Sequence, residues 1–497
     1  MLKRNLIANY LGQGWSALMG LIFVPVYIRY LGIEAYGLIG VFASLQAWFV
    51  LLDMGLAPTL SREMSRFSAG AHTPKSINTL LITLERVYLA VAIVIFIILA
   101  ATAPWIANGW LNVIHLDISI VIQALQVTSL VIAFRWMATL YRSAINGLQY
   151  MVWLNAFSSI ASTLRGAGVI LVLAYVSPTI GAFFIFQLVV TAFEVLVLVV
   201  RVRKYLPARP VDCGFSWIAL KSVWEFAASM MLLTLLSILL TQIDKLMLSK
   251  LLTLENFGYF TLATAVSGVV IMITGPICNV ALPKLTEAYA REDKGQLEKY
   301  YREFTQLLII TTVPASLVIS LFSGQLIMLW THDQITSDAV ATILTFWVIG
   351  TGLNAIMHMP YYLQIAAGKM KANITFNVAA LFFMIPLYFY LVPKFGALGA
   401  AYAWIGINAS YFLGLAYFVH KSIFNKPMIS WYIKDVVWPS TLPIIFVIGL
   451  KTSNLSLEKY GFVPQAALLV AIYLVAVFLS LASSDRGSIF LRTALKI

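Results

Sequence analysis

Arg165 lies about halfway along a stretch apolar enough to cross a membrane, in line with Asn155, Ser158 and Ser162 on one helical stripe. A charge at mid-bilayer costs about 2.5–3.5 kcal/mol on insertion scales, so such a group faces a protein interior or a wet cavity. A guanidinium in that position serves one of three ends: it holds a carboxylate, it holds water, or it receives an anionic ligand. Asp53, late in another apolar run and in line with Gln46, is a candidate partner for it. Arg135 is late in its own run, where its long stem could snorkel to the interface. Glu194, Arg86 and Glu225 are nearer the ends of their runs and read as solvated or snorkelling.

Two further stripes carry hydrogen-bonding groups. The first apolar run holds Asn5, Asn9, Gln13, Ser16 and Gly20, and a later one holds Thr234, Ser237 and Thr241 and ends in Asp244-Lys245. For any single hydroxyl the alternative use is interhelical hydrogen bonding. No catalytic or metal-ligating pattern emerges. Gly12-Gln13-Gly14-Trp15-Ser16-Ala17 imitates a dinucleotide loop, but no strand precedes it, and close helix packing explains its glycines. The five histidines are scattered, and only His358 falls inside an expected span, where a packing role is favoured over a proton site. Cys213 and Cys278 make no disulfide framework.

The elements that hold these groups follow from composition. Of 497 residues 61% are hydrophobic and 11% charged, against about 25% charged in soluble proteins. Residues 87–114, 166–193, 304–331, 395–419 and 461–484 are free of Asp, Glu, Lys and Arg. A helical span needs about 20 apolar residues, and barrel strands would alternate in polarity. The chain is therefore an all-α polytopic membrane protein. Fourteen spans are expected, at 8–30, 36–57, 84–103, 118–140, 155–176, 180–200, 223–249, 257–281, 304–329, 339–361, 374–391, 397–419, 436–450 and 462–481.

The formal charge of +13 would suggest nucleic acid in a soluble protein. Here basic residues in one set of loops outnumber those in the alternate set roughly fivefold, which sets topology and puts both termini in the cytoplasm. Trp105, Trp110, Trp330, Trp438 and Tyr460 sit near span ends as interfacial aromatics do. The loops are short, and 283–303 reads as an amphipathic helix on the cytoplasmic surface.

The chain is internally duplicated. Arg29-Tyr30-Leu31-Gly32-Ile33-Glu34-Ala35-Tyr36-Gly37 aligns without a gap on Lys250-Leu251-Leu252-Thr253-Leu254-Glu255-Asn256-Phe257-Gly258. Three further echoes follow in order: Pro58-Thr59-Leu60-Ser61 with Pro283-Lys284-Leu285-Thr286, Asn146-Gly147 with Ala367-Gly368, and Ile180-Gly181-Ala182 with Leu398-Gly399-Ala400. Six spans per copy return the chain to its starting side, so the copies are parallel repeats. The expected organisation is a six-helix bundle at 1–204, a cytoplasmic linker at 205–222, a second six-helix bundle at 223–420, and two extra helices with a tail at 421–497. Gly37 and Gly258 each open a helix directly after a turn and are expected as hinges. Glu34 and Glu255 would then lie at the positive ends of those helices.

The repeated turn, the Asp244-Lys245 pair and the Pro-x-Leu-Ser/Thr turns resemble the multidrug/oligosaccharidyl-lipid/polysaccharide exporter superfamily, and within it the Wzx-type polysaccharide flippases of bacterial O-antigen and capsule pathways. The resemblance covers the whole chain. It implies two six-helix bundles around a central cavity that opens alternately to each side, in a multi-pass protein of the bacterial cytoplasmic (inner) membrane. The implied substrate is an undecaprenyl-pyrophosphate-linked oligosaccharide, with membrane lipid and other polysaccharide assembly proteins as further partners and no nucleic acid. A cationic cavity is implied with it. Arg165 fits by position; Arg135, Arg29 and Lys245 fit more loosely, and Gln13 and Asn9 would line the same space, although span one has no dense arginine cluster. No cofactor or metal is expected beyond a coupling ion, H+ or Na+, for which Asp53 and Asp244 are the candidate carboxylates. A cation-coupled drug antiporter of the same fold is the alternative. A membrane-embedded glycan polymerase or ligase would need a large extracytoplasmic loop, which the chain does not offer.

Overall fold

A computed structural model describes residues 2–49, 53, 55–208, 214–425, 428–453 and 461–484. Within them the chain is helical, apart from one parallel bridge between Asn112 and Thr253. Contacts group it into two compact units, residues 1–258 and 259–497.

The first unit begins with α1 (Leu2–Ile22), which passes through Phe23 into α2 (Val24–Leu31). Gly32, at φ 82°, ends α2 and permits the turn into α3 (Ile33–Phe49). Asp53 and Gly55 separate α3 from α4 (Leu56–Ser68), and Gly55 takes the left-handed φ of 73° that starts the new helix. Then come α5 (Pro74–Trp105), α6 (Ile118–Gly147), α7 (Met151–Tyr175), α8 (Ile180–Tyr205) and α9 (Trp217–Leu251). Side chains cap several of these. Thr73 accepts from the Ser76 amide at 3.1 Å, Thr179 from Ala182 at 3.3 Å and Ser216 from Ala219 at 3.3 Å, each satisfying an orphan donor of the first turn. Asp117 does the same for Ser119 at 2.7 Å in the loop before α6, and the Ser119 hydroxyl together with that amide holds its carboxyl below the usual range.

α10 (Leu254–Ala290) crosses the boundary between the units. The second unit continues with α11 (Lys294–Leu321), α12 (Ser323–Thr331), α13 (Gln334–Ala367), α14 (Lys371–Phe395), α15 (Ala397–Ser410), α16 (Ala416–Phe424), α17 (Trp438–Thr452) and α18 (Phe462–Ser483). Among the described residues twelve helical segments are long and apolar enough to cross a membrane. α3, a shorter apolar helix, and the 35-residue α9 stand at the second and seventh expected spans. The all-α polytopic architecture is thus the one the sequence predicts.

The stretch 283–303 differs from expectation. It is no separate surface helix: Pro283 lies inside α10, and the chain breaks only where Glu292 turns left-handed (φ 55°) and Asp293 caps α11. Leu285, Ala288, Leu297 and Tyr301 are buried in the core of the second unit, so the apolar face of the stretch packs on protein instead of lipid. The copies also diverge here, because the first breaks at Gly55 where the second runs on as helix through Pro276 and Pro283. His420 departs from expectation too. It lies within α16, fully buried, with its Nε2 2.7 Å from the Tyr301 hydroxyl. Arg302 and Gln306 of α11 meet the buried Asp435 carboxylate at 3.0 and 2.8 Å, which ties the segment before α17 to the second unit.

The repeated turn has a geometric role. A Cβ on Gly37 would overlap the Leu254 carbonyl oxygen, and one on Gly258 would overlap the Ile33 carbonyl oxygen. The first turns of α3 and α10 therefore touch backbone to backbone, and glycine is required for closeness rather than for an unusual φ. Glu34 is buried and accepts from the amides of Ile114, His115 and Leu116 at 2.6, 2.9 and 2.9 Å. Its charge thus fastens the loop after α5 to the start of α3 as well as sitting in that helix's first turn. Glu255 is less enclosed and lies 3.7 Å from His115. Asn112 of the same loop donates to the carbonyls of Lys250 and Leu252 and accepts from the Leu254 amide.

Candidate functional site, an arginine ladder across three helices

Three helices of the first unit each present two side chains seven residues apart: Arg135 and Arg142 on α6, Ser158 and Arg165 on α7, Gln187 and Glu194 on α8. Residues at that spacing share a helix face, two turns apart. The faces meet and form two levels. At the first, Glu194 accepts from Arg142 Nε at 3.0 Å and from a second Arg142 nitrogen, and from Arg165 Nη1 at 2.5 Å. Arg142 Nη1 also donates to Ser158 Oγ at 3.1 Å. At the second, Arg135 donates to Gln46 Oε1 of α3 at 2.5 Å and to Gln187 Oε1 at 3.5 Å, and its guanidinium lies 5.1 Å from the centre of the Phe42 ring. Gln187 Nε2 reaches back to the Arg165 carbonyl at 3.5 Å.

Two guanidinium groups thus share one carboxylate, and a third, Arg135, stands at the next level on neutral amide oxygens. Glu194 is 2% exposed, whereas the Arg165 and Arg142 side chains retain 22% and 34% of their accessibility. The negative member is enclosed and the positive members reach open space. Arg135 Nε is buried with no hydrogen-bond partner among the described residues. The cluster carries an excess of positive charge, held in place by neutral amides and a ring. Guanidinium forks match phosphate and carboxylate geometry, so such a set can chemically accommodate an oxyanion.

This arrangement changes several assignments. The partner of Arg165 is Glu194, not Asp53. Glu194 is buried rather than solvated near a span end, and Arg142, which lies just past the expected span 118–140 and so reads in sequence as a loop cation, belongs to the cluster. Asp53 is occupied elsewhere: its carboxylate accepts from the Ala57 amide at 3.2 Å and from the Tyr88 hydroxyl, and so caps α4. Tyr88 in turn stacks on Trp136, with ring centres 4.9 Å apart.

The remaining candidates lie outside the ladder. Arg29 is exposed in the last turn of α2, and Gln13 is exposed on α1. Lys245 Nζ is 3.4 Å from Gln242 Oε1. Asp244 is buried, and its Oδ1 has no hydrogen-bond partner among the described residues. The side chains of Asn9, Thr234, Ser237 and Thr241 lie outside the described residues. The described part of α1 packs on α7: Ser16 Oγ is 3.5 Å from Ser162 Oγ, Trp15 Nε1 donates to Thr163 Oγ1 at 2.8 Å, and a Cβ on Gly12 would meet Asn155. His358 Nδ1 is 3.1 Å from the Asn354 carbonyl of its own helix. Among the described residues no three His, Cys, Asp or Glu side chains are grouped to hold a metal ion.

Comparison with known proteins agrees with this architecture. A computed superposition on the lipid II flippase MurJ in an inward closed conformation gives a TM-score of 0.70 at 15% identity, covering 99% of each chain. An inward-facing multidrug resistance MATE family transporter of the MOP superfamily gives 0.61 at 13% identity, over 84% of this chain and 99% of that one. In sequence, the chain is 21% identical over 406 residues to a putative O-antigen transporter of Shigella flexneri, which spans 81% of this chain and 93% of the relative. It is 30% identical over 187 residues, 35% of its length and 44% of the relative, to the capsular polysaccharide biosynthesis protein CapF of Staphylococcus aureus. The Shigella relative is named as a transporter, and the two solved structures as a flippase and a transporter. A family model described as polysaccharide biosynthesis protein matches residues 26–337. With more than half its length matched, the chain belongs to the polysaccharide biosynthesis protein family.

Proposed function

We propose that this protein is a flippase that moves undecaprenyl-pyrophosphate-linked oligosaccharide repeat units across the bacterial cytoplasmic membrane by alternating access, with the repeat halves 1–204 and 223–420 as its moving parts. The observation that carries the reading is the excess of guanidinium over carboxylate at Arg135, Arg142, Arg165 and Glu194. A pyrophosphate, and the carboxylates of acidic sugars, would complete that charge balance. The O-antigen transporter relative and the MurJ-like fold support the substrate class. In a strain deleted for the gene, undecaprenyl-linked repeat units should accumulate on the cytoplasmic face, and the wild-type chain should clear them. Clearance that proceeds without the protein would overturn the reading.

Arg165 offers the sharper test. Glu194 keeps Arg142 when Arg165 is removed, so Arg165→Ala orphans no buried charge. That variant should be made at near-normal membrane abundance yet lose at least about 90% of glycan export, as expected when a charge-assisted contact of roughly 1.5–3 kcal/mol is lost. Arg165→Lys keeps the charge without the fork and should retain part of the activity. Normal export by Arg165→Ala would refute a substrate role.

The second reading, a cation-coupled drug antiporter, is favoured by one observation: a buried carboxylate at Asp53 beside Tyr88, where α3 gives way to α4. On the flippase reading that carboxylate is a candidate for the coupling ion. Topology is a separate expectation. Reporter fusions after Lys204, Lys371 and the C-terminus should report cytoplasm, and fusions near Asn108 and Asp333 the far side.

A further inference from the structure

The second unit holds a half-open cavity of about 610 Å³ between α12, the first turns of α13, the end of α17 and the start of α18. By the count of basic loop residues it faces away from the cytoplasm. Leu321 and Leu329 of its wall pack against a buried apolar cluster that includes Phe322, Val447, Leu469 and Ile472. The polar part of its wall comes from Gln325, His332, Asp338, Lys451 and Gln465, with Phe462 as its ring.

The types of these side chains narrow the ligand. A ligand pocket of this size takes a small organic molecule or a few rings of a larger one. An acyl chain or apolar drug would want a dry lining, and this one is rich in amide, imidazole and carboxylate groups. Each of these donates or accepts in a plane, as neighbouring hydroxyls on a sugar ring require. Phe462 gives a flat apolar surface for the C–H face of a pyranose. His332, which ends α12 in the left-handed conformation (φ 55°), lies against that ring at 5.3 Å. Asp338 is oriented by Gln334, which donates to its Oδ1 at 2.8 Å. Lys451 lies 5.3 Å from the centre of the Phe322 ring and pairs with no carboxylate among the described residues. Its ammonium is therefore available to an acid group on the ligand.

We infer that this cavity is an extracytoplasmic docking site for an acidic oligosaccharide, with Phe462 as the stacking surface and Lys451 as the contact for a hexuronate carboxylate. The inference rests on the flippase reading, under which a glycan arrives on that face still tied to its lipid. A site there would hold the released sugar portion away from the translocation path and disfavour its return.

The test uses the full chain in lipid nanodiscs and two soluble probes, hyaluronan tetrasaccharide and its uncharged counterpart chitotetraose, titrated by saturation-transfer NMR. The wild type should bind hyaluronan tetrasaccharide with a Kd on the order of 1 mM. Lys451→Gln should weaken that probe about tenfold and leave chitotetraose unchanged. Phe462→Ala should weaken both by about fivefold. Lys284→Gln, a cation of α10 outside both the cavity and the ladder, should change neither, and because the cavity variants are read by binding alone, a failure of the export reading leaves this measurement unaffected. No saturable binding of hyaluronan tetrasaccharide to the wild type, or equal binding by the wild type and both cavity variants, overturns the inference.

Discussion

Glu194→Ala will be the most damaging single substitution in the first unit. It removes the one carboxylate that Arg142 and Arg165 share and leaves both guanidinium groups facing each other without an anion. Removing one partner of a buried ion pair costs about 3–5 kcal/mol, a large share of the stability of a folded domain. Membrane abundance of the variant should therefore fall severalfold, measured by immunoblot against an unrelated membrane protein. Glu194→Gln keeps an acceptor and should fall less. The diagnostic variant is Glu194→Ala combined with Arg142→Leu, which removes the most strongly engaged cation and should restore abundance. If Glu194→Ala accumulates normally, the ladder is not a structural element and the charge accounting above is wrong.

The second large effect is expected at the paired glycines. A methyl on Gly37 meets the Leu254 carbonyl and one on Gly258 meets the Ile33 carbonyl, and both obstacles are backbone. Neither helix end can turn a rotamer aside to make room. Overpacking of this kind costs about 1–3 kcal/mol for a single methyl, and Gly37→Val or Gly258→Val should cost more. Both valine variants should lose glycan export to a similar degree. Gly14→Ala and Gly406→Ala, where no atom lies within 4 Å of an added Cβ, serve as controls and should export normally. A severe defect at one glycine with none at the other would mean that the contact is not what the two positions share.

The architecture was legible in the sequence because bilayer thickness imposes a length on every apolar run. The repeated turn keeps the same residue types at the same places, and the contact between Gly37 and Gly258 explains why glycine stands in both. The site was legible only in part. Arg165 stood out because no other charge lies within its span. Glu194 did not, because nearness to a span end suggested solvent, and depth along one helix says nothing of which neighbour covers it. The usable signal was the spacing of seven, repeated at Arg135/Arg142, Ser158/Arg165 and Gln187/Glu194 on consecutive helices. Taken together those pairs predict three polar faces that satisfy one another. Asp53 was assigned to the wrong arginine because the break between α3 and α4 at Gly55 leaves no mark in hydropathy, and the carboxylate is used there as a helix cap. The surface helix expected at 283–303 failed for a related reason: its charged face is visible in the sequence, and the protein core that takes its other face is not.

The ladder also constrains the order of assembly. Arg142 leaves the ribosome 52 residues before Glu194, so α6 reaches the membrane carrying Arg135 and Arg142 with no anion to receive them. On insertion scales a charge near a helix centre, as Arg135 is, opposes entry by about 2.5–3.5 kcal/mol, and Arg142, nearer the end of α6, opposes it less. α6 and α7 must then wait beside the translocon until α8 emerges, and the three helices partition into lipid as one cargo. An α6–α7 fragment expressed without the preceding spans should stay extractable by alkaline carbonate, and extending it through Glu194 should make it resistant.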